Sequence, residues 1–249
     1  MRTSTIGRGW KIGLLAAVLS AGAMPAAAQL NSGKGLTGLW LLDQTVYDNG
    51  GVTKTAPLNT AAQAKADAAR KATEGGAVLS DANKKCMPHG MPGMMTNEFA
   101  LTFIESPGVV TVISEDAPLS RHISLTRKTH MTDQDPGWVG DSIGHWEGKT
   151  LVVETTNLND RTSHIPRTGS VRSLKTKITE RFHLEKDGKE LVNAMTFEDP
   201  DVLTAPWTIT YRYHRGDRDA NLWEYACEVD APGWAERFAG DPEYMPNKK

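Results

Sequence analysis

The sequence predicts an all-β protein, a mostly antiparallel up-and-down barrel with one inserted helix. The first observation is alternation: in residues 207–214, aromatic and aliphatic side chains are separated by Thr, Arg and His, which gives one apolar face. The second is a series of turn signals between such segments, Ser106-Pro107-Gly108 and Asp187-Gly188. Segments joined by tight turns usually pair in space, and a long meander loses its free edges by closing into a barrel. A two-sheet sandwich is the alternative.

The expected strands share alternating apolar residues or a flanking turn. They cover residues 39–47, 99–105, 109–115, 122–128, 149–157, 173–185, 190–198, 207–214 and 222–229. Glycines bracket His145, Trp146 and Glu147, so we expect residues 144–148 to form a turn.

One segment breaks the strand pattern. Asn59 can cap a helix over residues 60–73, inside an insertion of about residues 59–75 that ends in glycines. Its apolar residues are mostly alanine, so this helix offers little burial. Residues 232–249 are polar with scattered aromatics and are expected to form an irregular tail.

The first 28 residues have the features of a secretory signal peptide. Arg2, Arg8 and Lys11 precede an apolar run over residues 12–24, and a small-residue cleavage site follows at residues 26–28. The mature chain, residues 29–249, is then expected to be one barrel domain in the periplasm or outside the cell. No membrane span is expected after cleavage, because the apolar run is short for a span.

The net charge and the motifs that are missing from the sequence exclude several classes of function. Removing the three basic residues of the leader from the 28 in the chain leaves 25 against 30 acidic residues, a net charge of −5. A nucleic-acid partner would favour a basic stripe instead. The sequence contains no Gly-x-Ser-x-Gly, phosphate loop, dinucleotide fingerprint or His-Glu-x-x-His pattern. No cofactor or metal is therefore predicted, and the expected partner is a small molecule.

Cysteine and methionine raise two further alternatives. Cys86 and Cys227 are the two cysteines, and in an exported protein they most simply form a disulfide, worth roughly 4–5 kcal/mol for a loop of this length. A thiolate metal ligand is the rival interpretation. Residues 86–95 contain one Cys, one His and four Met, a soft-ligand cluster that suits Cu(I). The alternative is a loop whose Met side chains fill gaps at the barrel mouth.

Two polar clusters could carry acid–base chemistry. The candidate catalytic residues are His145, Glu147, Asp160, Arg161 and His164. A His beside a carboxylate can transfer protons near neutral pH, and an Arg can hold a developing anion. The strand expected at residues 149–157 would separate the two clusters by about 25–30 Å, at ~3.3 Å per residue. Ordinary turn chemistry is the alternative.

Aromatic and Met side chains could line a ligand pocket. An apolar lining with few polar groups is typical of small-molecule sites. The candidate ligand-binding residues are Trp40, Met91, Met94, Trp146, Trp207 and Tyr211. Core packing is the alternative role for each of them.

Gly38-Leu39-Trp40 resembles the Gly-x-Trp signature at the first strand of lipocalins and related calycin barrels. That resemblance implies that Trp40 plugs the closed end, that the other end admits an apolar ligand, and that an arginine lies near the last strand. Arg212 and Arg218 are the candidates.

Residues 86–227, with the segment Gly-His-Trp-Glu-Gly-x-Thr-Leu-Val-Val-Glu-Thr, also resemble a family of exported bacterial proteins. This resemblance implies a compartment and a single fold, and it implies no activity.

The sequence therefore predicts an exported barrel that binds a small apolar or aromatic molecule. The first alternative is a cofactor-independent lyase, isomerase or hydrolase on the same barrel. The second is a copper-binding protein that uses the Met- and His-rich loop.

Overall fold

Nine strands close into one barrel in their order along the chain. A computed structural model describes residues 35–43, 55–75, 86–116, 119–161, 164–166, 168, 170–217, 222–223 and 225. The strands are β1 (Gly38–Leu42), β2 (Leu101–Ser106), β3 (Val109–Ser114), β4 (Ser120–Ser124), β5 (Asp141–Glu147), β6 (Thr150–Thr156), β7 (Lys177–Glu185), β8 (Glu190–Glu198) and β9 (Trp207–Arg215).

The predicted all-β barrel is confirmed, and the sandwich alternative is not found. Every neighbouring pair of strands is antiparallel except β4 and β5, which are parallel. The barrel closes where β1 pairs with β9, with Trp40 opposite Arg215 and Leu42 opposite Tyr213. Closure leaves no strand edge exposed for pairing with another chain.

The turn expected at residues 144–148 is wrong. Residues His145, Trp146 and Glu147 belong to β5, and the chain turns only at Gly148-Lys149, where Gly148 has φ +60°. Gly144 serves packing instead: a Cβ there would lie 2.9 Å from the Cγ2 atom of Ile123 on the neighbouring strand. A glycine required by close strand packing resembled a turn glycine in the sequence.

Two strands end earlier than expected, and one expected strand is not found. β1 ends at Leu42, and β4 ends at Ser124, before Arg127 turns to bind the Asp141 carboxylate. In the expected strand at residues 222–229, the described residues 222, 223 and 225 show only an isolated bridge between Tyr225 and Asp116. β5 supplies the ninth strand of the barrel.

Two α-helices in the described part of the chain accompany the barrel. α1 (Thr60–Glu74) agrees with the sequence prediction, and the Asn59 side chain accepts a hydrogen bond from the Ala62 amide at 2.9 Å as its cap. α2 (Gly90–Thr96) was not expected, since residues 86–95 contain Pro and Gly and were interpreted as a loop. No helix in the described ranges is long and apolar enough to cross a membrane.

α2 lies across one end of the barrel, which we call the mouth. The Met91 amide donates to the Trp138 carbonyl at 2.7 Å, and the Tyr213 hydroxyl donates to the Met95 carbonyl at 2.6 Å. Connections at the mouth join β3 to β4 and lead into β5 and β7. The opposite end, called the closed end, contains residues 35–38 and the turns after β2, β5 and β7.

Large side chains fill the barrel interior between the two ends. The fully buried ones include Trp40, Phe103, Phe182, Phe197, Tyr211, Tyr213, Met91, Met94 and Met95. The predicted signal peptide at residues 1–28, Cys227 and the tail at residues 232–249 lie outside the described residues.

Candidate functional site

Trp40 lies inside the barrel near the closed end, and we call it the plug. Its side chain is fully buried, and its indole nitrogen donates to the Leu36 carbonyl at 2.7 Å. The guanidinium of Arg215 lies 4.1 Å from the ring centroid and donates to the carbonyls of Gly188, Thr37 and Gly35 at 2.6–2.8 Å. A cation over an indole ring is stabilising. The plug therefore combines apolar burial with a set of satisfied polar groups.

The arginine that lies over Trp40 is Arg215 at the end of β9, and not the expected candidate Arg212. Arg212 instead forms ion pairs with Glu185, at 2.8 Å, and with Glu190. Arg218 lies outside the described residues. Alternation explains the difference, because Arg212 shares the outward face of β9, whereas Arg215 lies at the strand end, where its side chain can fold over Trp40.

A cleft of about 590 Å³ lies beneath this plug. Its walls are the chain before β1, the β5–β6 turn and the β7–β8 turn. The lining residues are Gly35, Leu36, Trp146, Lys149, Leu184, Glu185, Lys186, Asp187 and Gly188. A volume of this size lies within the usual range of small-molecule sites.

Trp146 and Leu184 reach the cleft because β5 and β7 continue past the plug. Side chains alternate along a strand, so Trp146 shares the face of Ser142 and Gly144, which points into the barrel. Leu184 likewise shares the inward face of Phe182. The cleft is therefore an extension of the inward barrel surface, and Trp146 remains 42% exposed within it.

His145 and Glu147 face the other way. The His145 Nε2 atom lies 3.2 Å from a Glu147 carboxylate oxygen, and Arg181 donates to Glu147 at 2.7 Å. Hydrogen bonds from Arg181, and then from His145, lower the pKa of Glu147. These side chains form an exposed charged row on the outside of the barrel, behind the strand that carries Trp146.

Asp160, Arg161 and His164 lie at the mouth. Asp160 and Arg161 are exposed, and the Arg161 guanidinium lies 5.9 Å from the Trp138 ring centroid. His164 pairs with Val171 through an isolated β-bridge. β6 separates this cluster from His145 and Glu147 by about 20 Å, at ~3.3 Å per residue. The five candidate catalytic residues thus form two separate groups, and their catalytic roles stay predictions.

Five of the six candidate ligand-binding residues are buried in the barrel core. These are Trp40, Met91, Met94, Trp207 and Tyr211. Trp207 packs against Phe197, with ring centroids 5.8 Å apart. Of the six, only Trp146 combines partial exposure with a position in the cleft.

The barrel interior contains a buried ion pair that the sequence analysis missed. Arg121 pairs with Glu180 and donates to Ser142 and Thr155 at 3.0 and 2.7 Å, and Asn193 donates to Glu180 at 3.0 Å. The pair is electrically neutral, and two atoms of the cluster, Arg121 Nη1 and Asn193 Oδ1, have no hydrogen-bond partner among the described residues. In the segment Ser-Arg-His-Ile-Ser, Arg121 shares its face with Ile123, and that alternation was the signal for an inward arginine.

A second buried arginine, Arg172, lies at the mouth and has a different environment. Its Nε donates to the Met91 carbonyl at 3.0 Å, while both terminal nitrogens have no hydrogen-bond partner among the described residues. Burial lowers the pKa of Arg172 to about 10, although the negative charges of Asp160 and Asp199 act to raise this pKa. Arg172 precedes β7 in an irregular segment, so no periodic pattern in the sequence indicated its burial.

The soft-ligand cluster is divided by the fold. The His89 imidazole is hydrogen-bonded to the buried Asp116 carboxylate, which also accepts from Asn97 at 3.1 Å. Met91, Met94 and Met95 belong to the apolar core. Within the part of the chain that is described, no group of three or more His, Cys, Asp or Glu is arranged to hold a metal ion. This packing favours a gap-filling role for the Met residues, and the copper alternative stays a prediction.

Comparisons with known proteins place the barrel beside distant structures. No protein-family model and no curated protein matches the chain, so the likeness to exported bacterial proteins stays a prediction. One similar solved structure is described as a REP1-NXSQ fatty acid transporter, with a TM-score of 0.35 and 8% identity over 74% of this chain and 98% of that chain.

Two further similar structures are the fluorescent protein UnaG and a secretory abundant heat soluble protein from Ramazzottius varieornatus. UnaG is 12% identical, with a TM-score of 0.33, over 72% of this chain and 96% of its own. The heat soluble protein is 11% identical, with a TM-score of 0.33, over 72% of this chain and 94% of its own. At these TM-scores and identities, the structural similarity is too low to support a conclusion about function.

Proposed function

We propose that the protein is an exported barrel that binds a small, largely apolar or aromatic molecule in the cleft at the closed end. The observation that carries this proposal is Trp146, an inward-facing indole that is 42% exposed inside a cleft of about 590 Å³. Core tryptophans are ordinarily covered by other side chains. An indole left half-exposed in a concave site offers an aromatic ligand a face to stack on.

The walls of the cleft suit an amphipathic ligand. Leu36 and Leu184 supply apolar surface next to Trp146, while Lys149 and Lys186 lie at the rim. Lys186 is held by Glu190 at 2.5 Å. Lys149 is exposed beside Trp146 and could accompany an anionic substituent. The expected ligand is therefore a flat apolar body, with any polar group near the rim.

Fluorescence titration with 1-anilinonaphthalene-8-sulfonate tests this site. This probe has an aromatic body of a kind that stacks on an indole, and one negative charge that would face Lys149. Trp146→Ala is expected to weaken probe binding about tenfold or more, equivalent to ~1.4 kcal/mol. Trp223→Ala is the matched control, because Trp223 is 82% exposed at the other end of the barrel. Equal affinity in wild type and Trp146→Ala would contradict the proposal.

The acid–base alternative has no comparable observation in its favour. His145 and Glu147 face away from the cleft, and Asp160, Arg161 and His164 lie at the other end of the barrel. A cofactor-independent reaction would have to use one of these two clusters of residues without the other.

Export and the disulfide belong to the same proposal. Cys86 lies three residues before His89, whose ring binds Asp116, and Tyr225 also pairs with Asp116, two positions before Cys227. The two segments that carry the cysteines thus meet the same aspartate, which supports the Cys86–Cys227 bridge. Mass spectrometry of the protein secreted by its own leader is expected to give a chain that begins near Gln29 and is about 2 Da lighter than the reduced form.

A further inference from the structure

Arg172 is a buried cation whose hydrogen-bonding capacity is mostly unused. Its side chain is 2% exposed, and of its five N–H groups only the Nε–H has a partner among the described residues, the Met91 carbonyl. Leaving a buried charged donor unbonded costs more than losing an ordinary hydrogen bond. A buried guanidinium in this condition indicates a missing acceptor.

The nearby carboxylates do not fill that role. Asp199 accepts hydrogen bonds from the Ser173 amide and hydroxyl at 2.7 and 2.8 Å and from the Thr176 hydroxyl at 2.6 Å. Asp160 is exposed on the rim. Both act on Arg172 through charge alone. By contrast, Arg121 in the barrel interior has Glu180 as a direct partner.

We infer that Arg172 is the anchor of an anion site at the mouth, specific for the carboxylate of a small organic acid. Two free terminal nitrogens form a planar fork that matches the two oxygens of a carboxylate. The Met91 carbonyl binds Arg172, and Met91, Met94 and Met95 of α2 belong to the apolar core, so the surroundings of this guanidinium favour an anion that carries an apolar body. Two aspartates nearby oppose a doubly charged group, which favours a carboxylate over a phosphate monoester.

This site is separate from the cleft under Trp146, because the two lie at opposite ends of the barrel. It also differs from the sequence prediction, which assigned anion binding to Arg161. The exposed Arg161 guanidinium lies against the Trp138 ring, whereas Arg172 is buried beneath α2. Arg161 therefore serves as an internal comparison for Arg172.

Titration of the full mature protein with benzoate, followed by NMR of ¹³C-methyl methionine, tests the inference. The Met91 signal is assigned from Met91→Leu, and the Trp146 indole N–H signal reports the cleft in the same experiment. Benzoate and hexanoate are expected to shift the Met91 signal to saturation. Benzyl alcohol and phenyl phosphate are expected to bind about tenfold more weakly or worse.

Variants decide whether Arg172 carries the binding. Arg172→Gln is expected to weaken benzoate binding about tenfold or more, and Arg161→Gln is expected to stay within about twofold of wild type. If Arg172→Gln does not fold, Arg172→Lys keeps the charge, removes the fork and is expected to weaken binding too. Unchanged affinity in the folded Arg172 variant would overturn the inference. No saturable shift of Met91 with either acid, or a shift confined to Trp146, would overturn it equally.

The outcome is independent of the cleft proposal. Failure of the Trp146→Ala titration with the fluorescent probe would leave the benzoate response at Met91 intact. Conversely, loss of the benzoate response would leave probe binding in the cleft unchanged.

Discussion

Each end of the barrel contains an arginine, and the two arginines differ in how many of their N–H groups are hydrogen-bonded. At the closed end, Arg215 lies over Trp40 and donates to three backbone carbonyls. At the mouth, Arg172 is more deeply buried and donates to one. The fold supplies carbonyl partners for Arg215, whereas it leaves both terminal nitrogens of Arg172 without a partner among the described residues. Buried polar groups in native proteins are normally satisfied, so the incomplete end is where a ligand is expected to complete the structure.

Removing the plug is the most damaging change that we expect at either end. Trp40→Ala deletes a fully buried indole, removes the hydrogen bond to the Leu36 carbonyl and removes the ring that lies under the Arg215 guanidinium. Large-to-small changes of this kind cost about 3–5 kcal/mol. Urea denaturation measures the loss, and Trp223→Ala is expected to stay within about 0.5 kcal/mol of wild type. A loss below about 1 kcal/mol for Trp40→Ala would show that the end is not held by this side chain.

Parallel replacement of the two arginines tests the comparison directly. Arg215→Met removes three hydrogen bonds to carbonyl groups and is expected to cost about 2–3 kcal/mol. Arg172→Met exchanges an unsatisfied buried charge for an apolar side chain among Met residues, and is expected to be neutral or to stabilise by about 1 kcal/mol. Denaturant midpoints of the ligand-free proteins measure both. Equal destabilisation by the two changes would mean that Arg172 is structural.

Acid is expected to weaken the mouth through Asp141 at the start of β5. Burial raises the pKa of this carboxyl, but hydrogen bonds from Arg127, the Met131 amide and His130 outweigh burial and hold the pKa at about 2. A carboxyl whose pKa is lower in the folded chain stabilises it fully above the unfolded value, near 3.8, and loses that contribution as pH falls toward 2.

We expect about 1–2 kcal/mol of stability to be lost over that interval, after allowance for solvent screening. Asp141→Asn should be less stable at pH 7 and should lose less between pH 4 and 2. Urea denaturation across this range makes the measurement. An identical pH dependence in wild type and Asp141→Asn would exclude Asp141 as the source.

Alternation explains how much of this architecture the sequence could predict. The strand in residues 207–214 followed from a period of two, and that in residues 190–198 followed from the Asp187-Gly188 turn before it. The expectation for Trp40 came from the resemblance of Gly38-Leu39-Trp40 to the lipocalin signature. The same rule applies to Arg121, which shares the buried face of Ile123 on β4 and therefore points inward. Gly144 led to the wrong prediction of a turn at residues 144–148, because the sequence does not distinguish a glycine needed for a turn from one needed for close packing.

Arg172 could not be found in this way. It lies in an irregular segment, and its burial depends on α2, whose Pro- and Gly-containing sequence resembles a loop. Contacts between segments that are distant in sequence, here Met91 and Arg172, determine which arginine at the mouth is covered. The sequence therefore favoured Arg161, which follows a strand and stands beside two other polar residues.

The smallest expected effect concerns two neighbouring residues on β5, and it sharpens the account of the closed end. His145 and Trp146 are adjacent, but alternation turns the imidazole outward, toward Glu147, and the indole into the cleft. His145→Ala is therefore expected to change the affinity for 1-anilinonaphthalene-8-sulfonate by about twofold or less, while Trp146→Ala lowers it about tenfold. The fluorescence titration used for the cleft measures both. Loss of binding in His145→Ala with retention in Trp146→Ala would mean that β5 presents its opposite face to the cleft, as a register shift of one residue produces. Ser142 would then turn away from Arg121, and the interior ion pair would lose a hydrogen-bond acceptor. The fluorescence titration at the cleft therefore also tests the strand register in the barrel core.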